Sequence, residues 1–172
     1  TRPLESTEPV AFVRAVLDVI HAHGVARRTT LQSFDWGVQR ASQRLAPDMA
    51  LSFLTAQLPS FNTLVTGEWT AGLRLAEHRD APAMVAAAGG KIWSPHHSDL
   101  SQALLQRARQ EGLRVIPWTV NETPDMERLI DWGVDGLITD HPERLRQVMR
   151  QRGMALPPAI DPALAARLKP VS

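Results

Sequence analysis

The feature that most constrains this chain is a regular alternation. Short β-rich runs at 29–33, 49–54, 91–93, 114–120 and 134–138 are each followed or preceded by a helical stretch. The helical stretches are 9–24, 36–45, 79–90, 100–111, 124–132 and 142–152, and most end at glycine or near proline. Strands that alternate with helices pack in few ways: the strands run parallel in a sheet and the helices cover it. The helix at 9–24 has Thr7 as its expected N-cap, Pro9 in its first turn and Gly24 as its stop. Phe12, Val13, Val16, Leu17 and Ile20 fall on one face of it. In the helix at 100–111, Leu100, Leu104, Leu105 and Ala108 share a face and Gly112 closes the end. Residues 55–70 show no clear period, and 94–97 reads as a loop.

A closed β/α barrel takes about 250 residues and eight strands. This chain has 172 residues, enough for one domain with a sizeable core but short of a barrel, and it offers five strands. The expected fold is therefore α/β, a partial (β/α)8 TIM-type barrel with about five of eight βα units. Residues 1–153 would form that barrel part. Residues 154–172 read as a tail carrying Pro157, Pro158, Pro162 and Pro170, with a short helix near 163–168.

Charge narrows the partners. Nineteen basic residues are interspersed with eighteen acidic ones for a net charge of +1, so no basic stripe points to nucleic acid. The absence of cysteine excludes disulfides, thiolate metal sites and a cysteine nucleophile, and leaves the compartment open. No apolar run reaches the ~18 residues of a membrane span. The opening residues do not read as a signal peptide. A start on Thr1 rather than Met is expected of a processed or truncated product.

Two segments are specific. The first runs Val115-Ile116-Pro117-Trp118-Thr119-Val120-Asn121, then Met126 and Leu129, then Gly133-Val134-Asp135-Gly136-Leu137-Ile138-Thr139-Asp140-His141-Pro142. The second is Leu31-Gln32-Ser33-Phe34-Asp35, followed by Pro47 and Leu54-Thr55. Together they resemble the C-terminal half of the glycerophosphodiester phosphodiesterase family. The resemblance implies a (β/α)8 barrel that hydrolyses glycerophosphodiesters to glycerol 3-phosphate and an alcohol, in lipid and glycerol metabolism, with a bound Ca or Mg ion. Relatives occur in both the periplasm and the cytoplasm.

In that family a His-Arg-Gly motif and a His-Asp motif supply catalytic histidines, and Glu-x-Asp and Glu-x-Lys segments supply metal ligands. None of the four occurs in this sequence. The helix from Pro9 corresponds to the one after the Glu-x-Lys strand, so Thr1 is expected just downstream of the last metal ligand. The resemblance thus assigns no catalytic and no metal-binding residue here. It implies that the chain alone is inactive and holds no cation strongly. What remains is the pocket wall: Trp118 near the glycerol side and Phe34 at the mouth, with either Gln32 or Ser33 able to reach the site by strand alternation, Gln32 being preferred. The plainer alternative for both aromatics is core packing.

Elementary chemistry agrees with this split. A phosphodiester and its transition state are anionic, so a cation must neutralise charge and an acid must protonate the leaving alkoxide. Among the carboxylates only Asp35, Asp99, Glu122 and Asp140 fall near the carboxyl ends of expected strands, where barrel sites lie. They form no recognisable metal motif. Asp140 is expected to N-cap the last helix and Asn121 to bind turn backbone. His96 and His97 follow a strand, but adjacent residues do not share a face in regular structure. His21 and His23 lie near a helix end, and His78 and His141 read as surface residues. Gly133 is expected to end a helix and Gly136 to allow close packing in a strand. A non-catalytic half-barrel is the alternative reading. Its open sheet edges would favour homo-oligomers or pairing with a missing half. Other barrel chemistry, such as sugar-phosphate isomerisation, is not excluded by fold alone.

Overall fold

The computed structural model describes residues 7–158. The chain forms two compact units, residues 1–140 and 141–172. The helix expected near 163–168 lies outside the described residues.

The first unit is built on a four-stranded sheet. Its strands are β1 (Thr30–Ser33), β2 (Ala50–Thr55), β5 (Ile92–Pro95) and β6 (Arg114–Val115), in the order β1-β2-β5-β6. All neighbours are parallel. Between β2 and β5 sits a small antiparallel hairpin, β3 (Gln57–Leu58) with β4 (Phe61–Asn62). The helices of this unit are α1 (Pro9–Ala22), α2 (Trp36–Leu45), α3 (Ala81–Ala87), α4 (Gln102–Gln110) and α5 (Thr123–Trp132). The second unit contains α6 (Pro142–Gln151). No described helix is long and apolar enough to cross a membrane.

Local chemistry sets the helix ends. Glu8, not Thr7, caps α1: its carboxylate accepts from the Val10 and Ala11 N–H groups at 3.0 Å each. Those are two of the four amides that a helix start leaves unpaired. Both bonds hold the Glu8 carboxyl below its ordinary range. Of the predicted α1 face, Val13, Leu17 and Ile20 are buried, while Phe12 is exposed. Val13 and Leu17 cluster with Ala41 of α2. Asp35 caps α2 through Gly37 N–H at 2.7 Å. Gly133 ends α5 in the left-handed conformation, φ 77°, which glycine adopts without steric penalty.

The sequence predicted strands at 114–120 and 134–138; the first is cut to Arg114–Val115 and the second forms no regular strand. Among the described residues the regular parallel strands number four rather than five, and two prolines and the Asp135 carboxylate explain the loss. Ile116 N–H bonds the Trp93 carbonyl, and Trp118 N–H bonds the Pro95 carbonyl, so residues 114–118 do run beside β5. The ladder breaks between those bonds because Pro95 has no N–H to give Ile116. On the other side Asp135 N–H reaches the Val115 carbonyl and Ile138 N–H reaches the Pro117 carbonyl. The return bonds of a regular ladder would come from Val115 and Pro117. Pro117 has no donor, and Val115 N–H goes to the Asp135 carboxylate at 2.7 Å. The carbonyl it would otherwise meet, that of Gly133, is held by Arg109 at 2.6 Å. Residues 134–138 thus act as a fifth extended segment, hydrogen-bonded but irregular. Gly136 is not required by close packing: an added Cβ would lie 3.5 Å from Ile116, an ordinary contact.

Candidate functional site

Strand alternation sorts the sheet into two faces. Leu51, Phe53, Trp93 and Val115 are buried on the helix side, where Trp36 of α2 packs edge-on against Phe53 with centroids 5.1 Å apart. The opposite face follows from register. Gln32 aligns with Ser52, Ser52 with Ile92, Leu54 with Ser94, and Ile92 with Arg114. One row beyond Ser94, at the carboxyl end, His96 bridges to Trp118. Ser52 and Ser94 join hydroxyls at 3.0 Å, so this face is polar in its middle even where it is buried.

Aromatic side chains crown that face at the carboxyl ends of the strands. Phe34, directly after β1, is the hub. Its ring meets Trp118 at 5.2 Å, Phe61 at 5.3 Å and Trp69 at 6.4 Å, all edge-to-face. Phe61 and Trp69 meet each other at 5.7 Å. The four rings are half-buried, unlike the fully buried Trp93 and Phe53 on the other face. Trp118 is fixed by its indole N–H, which donates to the Ser94 carbonyl at 3.0 Å. Two of the residues singled out from the sequence, Phe34 and Trp118, are thereby brought into contact. Gln32 is exposed and lines a hollow of about 250 Å³ with Ser33, Phe34, Asp35, Leu54 and Trp69. That hollow lies beside β1 and does not reach Trp118; Phe34 belongs to both regions. Phe61 and Trp69 come from the stretch without period, and their place beside Phe34 depends on the β3–β4 hairpin and the loop after it.

The histidine pair departs from expectation. The chain turns into a 3-10 helix at His97–Asp99, and the turn brings the two rings to 4.8 Å with 36° between their planes. His96 packs edge-on against Trp118 at 5.1 Å. The His97 Nδ1 is buried and without a hydrogen-bond partner. Burial, and then the neighbouring His96, push the His97 imidazole below its ordinary pKa. His78, expected on the surface, is half-buried with its Nε2 shut away from solvent.

Three rim carboxylates are committed to local bonds. Asp35 holds Gly37 N–H, Asp99 accepts from Gln57 N–H at 2.7 Å, and Asp140 accepts from the Asn121 amide at 3.0 Å. Asp140 therefore does not cap α6; His141 occupies that position, without a side-chain cap bond. Asn121 performs the turn-binding role predicted for it, its Oδ1 accepting from Asp140 N–H at 3.0 Å and Thr139 Oγ1 at 3.2 Å. Among the described residues no three His, Asp or Glu side chains converge. They do not fit the oxygen-rich shell of six to eight ligands that a calcium ion takes, or the octahedron of magnesium.

Comparison with known proteins bears on the family and the fold. The sequence profile of the glycerophosphoryl diester phosphodiesterase family matches residues 4–144. A glycerophosphodiester phosphodiesterase of Caldanaerobacter subterraneus is 25% identical over 138 residues, 80% of this chain and 49% of that protein. A solved glycerophosphodiester phosphodiesterase from Parabacteroides distasonis superposes with a TM-score of 0.67 at 21% identity, over 87% of this chain and 56% of that one. An Oleispira antarctica phosphodiesterase solved with its product sn-glycerol 3-phosphate gives 0.62 at 15% identity, over 83% and 50%. The chain spans about half the length of these relatives.

Proposed function

Because the chain belongs to the glycerophosphoryl diester phosphodiesterase family, we propose that its residues furnish the substrate-seating wall for hydrolysis of glycerophosphodiesters to glycerol 3-phosphate and an alcohol. The observation that carries this reading is the edge-on contact of Phe34 and Trp118, 5.2 Å between centroids, at the carboxyl end of a parallel sheet. Such a wall packs against the carbon skeleton of glycerol and excludes water from the reacting bond. The Gln32 amide, exposed at the same end, offers both a donor and an acceptor to a hydroxyl. A bound calcium or magnesium ion supplies charge neutralisation to this chemistry, and no step through it falls to the described residues.

The 172-residue chain alone is inactive on this reading. It contains none of the family's His-Arg-Gly, Glu-x-Asp, His-Asp or Glu-x-Lys motifs, and its described carboxylates do not converge. The test is release of glycerol 3-phosphate from glycerophosphocholine by the purified chain, with and without added Ca or Mg. No release above the blank is expected in either condition. Metal-dependent release would overturn the assignment of a wall without a catalytic centre.

A second reading draws on the sheet order. β1 lies at one end of it, and an unpaired edge offers its N–H and C=O groups to another strand. In this reading the chain is a half-barrel that pairs with itself or with a second polypeptide. Sedimentation of the pure chain decides the first possibility, since self-pairing requires a dimer, and cooperative unfolding of a monodisperse monomer removes the need for any partner.

A further inference from the structure

One more side chain on the face opposite the helices has unused chemistry. His96 stands in register with Trp118, one row beyond Ser94, and its ring lies edge-on to the indole at 5.1 Å. It therefore continues the wall formed by Phe34 and Trp118. The wall itself has little polar capacity, because the Trp118 indole N–H is already given to the Ser94 carbonyl. His96 is the polar group next to it.

The tautomer of His96 follows from its own turn. Its Nδ1 accepts from the backbone N–H of Ser98 at 3.3 Å, capping the 3-10 turn, and lies 2.7 Å from Ser98 Oγ. A backbone N–H can only donate, so Nδ1 carries the lone pair and Nε2 carries the proton. Among the described residues Nε2 makes no hydrogen bond. The result is an N–H donor held in a fixed ring orientation, at the carboxyl end of the sheet, beside an apolar wall.

We propose that His96 is a binding residue of this site, its Nε2–H donating to a phosphoryl oxygen of a glycerophosphodiester or of its glycerol 3-phosphate product. This inference rests on the function proposed above. Phosphoryl oxygens are the strongest acceptors on such a molecule, and a hydrogen bond to a charged oxygen is stronger than one to a hydroxyl. With glycerol carbon against Trp118, the phosphoryl group is the part of the ligand a neighbouring donor would meet.

The experiment uses the chain labelled with ¹⁵N-histidine and ¹⁵N-tryptophan, and long-range ¹H–¹⁵N spectra. It is titrated separately with sn-glycerol 3-phosphate, inorganic phosphate and glycerol. His96 is expected in the Nε2–H form, with its Nε2 signal moving on addition of glycerol 3-phosphate, less with inorganic phosphate and not with glycerol. Two variants separate binding from turn stability. His96→Asn keeps an acceptor for the Ser98 N–H but loses the distal donor, and should bind glycerol 3-phosphate about tenfold more weakly. His96→Gln keeps a distal amide donor and should retain most of the affinity, although it gives up the cap. A purely structural role predicts the opposite order. If glycerol 3-phosphate moves the tryptophan signals while His96 stays still, or if His96→Asn binds as the wild type does, this inference falls and the wall stands. If glycerol 3-phosphate moves no signal at all, both fall.

Discussion

The two faces of the sheet are made by alternate residues of the same strands, yet they resolve burial in opposite ways. On the helix side Phe53, Trp93 and Val115 are at most 1% exposed. The two indole N–H groups there are paired: Trp93 Nε1 donates to Thr55 Oγ1 at 2.9 Å, and Trp36 Nε1 to the Leu54 carbonyl at 3.3 Å. On the opposite side Phe34, His96 and Trp118 are half-buried and Gln32 is exposed. An aromatic whose contacts are complete contributes stability; one with an open edge can still receive a ligand. The comparison therefore turns on exposure and unspent contacts rather than on residue type, since both faces use tryptophan.

A pair of truncations tests that distinction most severely. Trp36→Ala empties a buried site, and large-to-small changes of this kind cost about 3–5 kcal/mol. Trp118→Ala removes a half-buried ring and should cost roughly 1–2 kcal/mol on its partial burial, while abolishing binding of glycerol 3-phosphate. Urea unfolding reads both, as shifts of midpoint at constant slope. If Trp118→Ala proves as destabilising as Trp36→Ala, Trp118 is a core residue and the two faces do not differ in the way described.

Much of the first face was legible in the sequence because it obeys period. Trp36–Leu45 was predicted to the residue, and α5 began one residue earlier than expected and ended at Gly133 as expected. Apolar residues at helical spacing leave a pattern that tertiary contacts only complete. The strand ends were less legible, for a specific reason. The prolines at 95 and 117 are visible in the sequence, but their effect depends on which neighbour each one faces, and that is set by register. The candidate site was half legible. Phe34 and Trp118 stand beside recognisable segments, whereas Phe61 and Trp69 enter through two-residue strands and a loop that have no period to read. Adjacent histidines in an extended chain would point apart; the 3-10 turn at His97 that brings them together is a local hydrogen-bonding choice made with Ser98.

The smallest test separates those two histidines. His96 lies on Trp118, whereas His97 feels Asp125 and Arg128 of α5, together with Asp99 and His96. Burial is the leading cause of its lowered pKa, and the His96 and Arg128 charges act in the same direction, against Asp125 and Asp99. The folded state therefore binds a proton at His97 less readily than the unfolded chain, whose value is near the ordinary 6.5. Where the unfolded state binds more protons, stability rises with pH. The His97 contribution is complete above about pH 6.5 and is lost as pH falls from there through the lower folded value. Urea midpoints between about pH 5 and pH 8 should decline on the acid side in the wild type. His97→Gln should flatten that decline by the part due to this group, and His96→Gln should leave the burial contribution in place. An identical acid-side slope in wild type and His97→Gln would mean that His97 gains its proton as easily folded as unfolded, and that the buried Nδ1 is no barrier to charge.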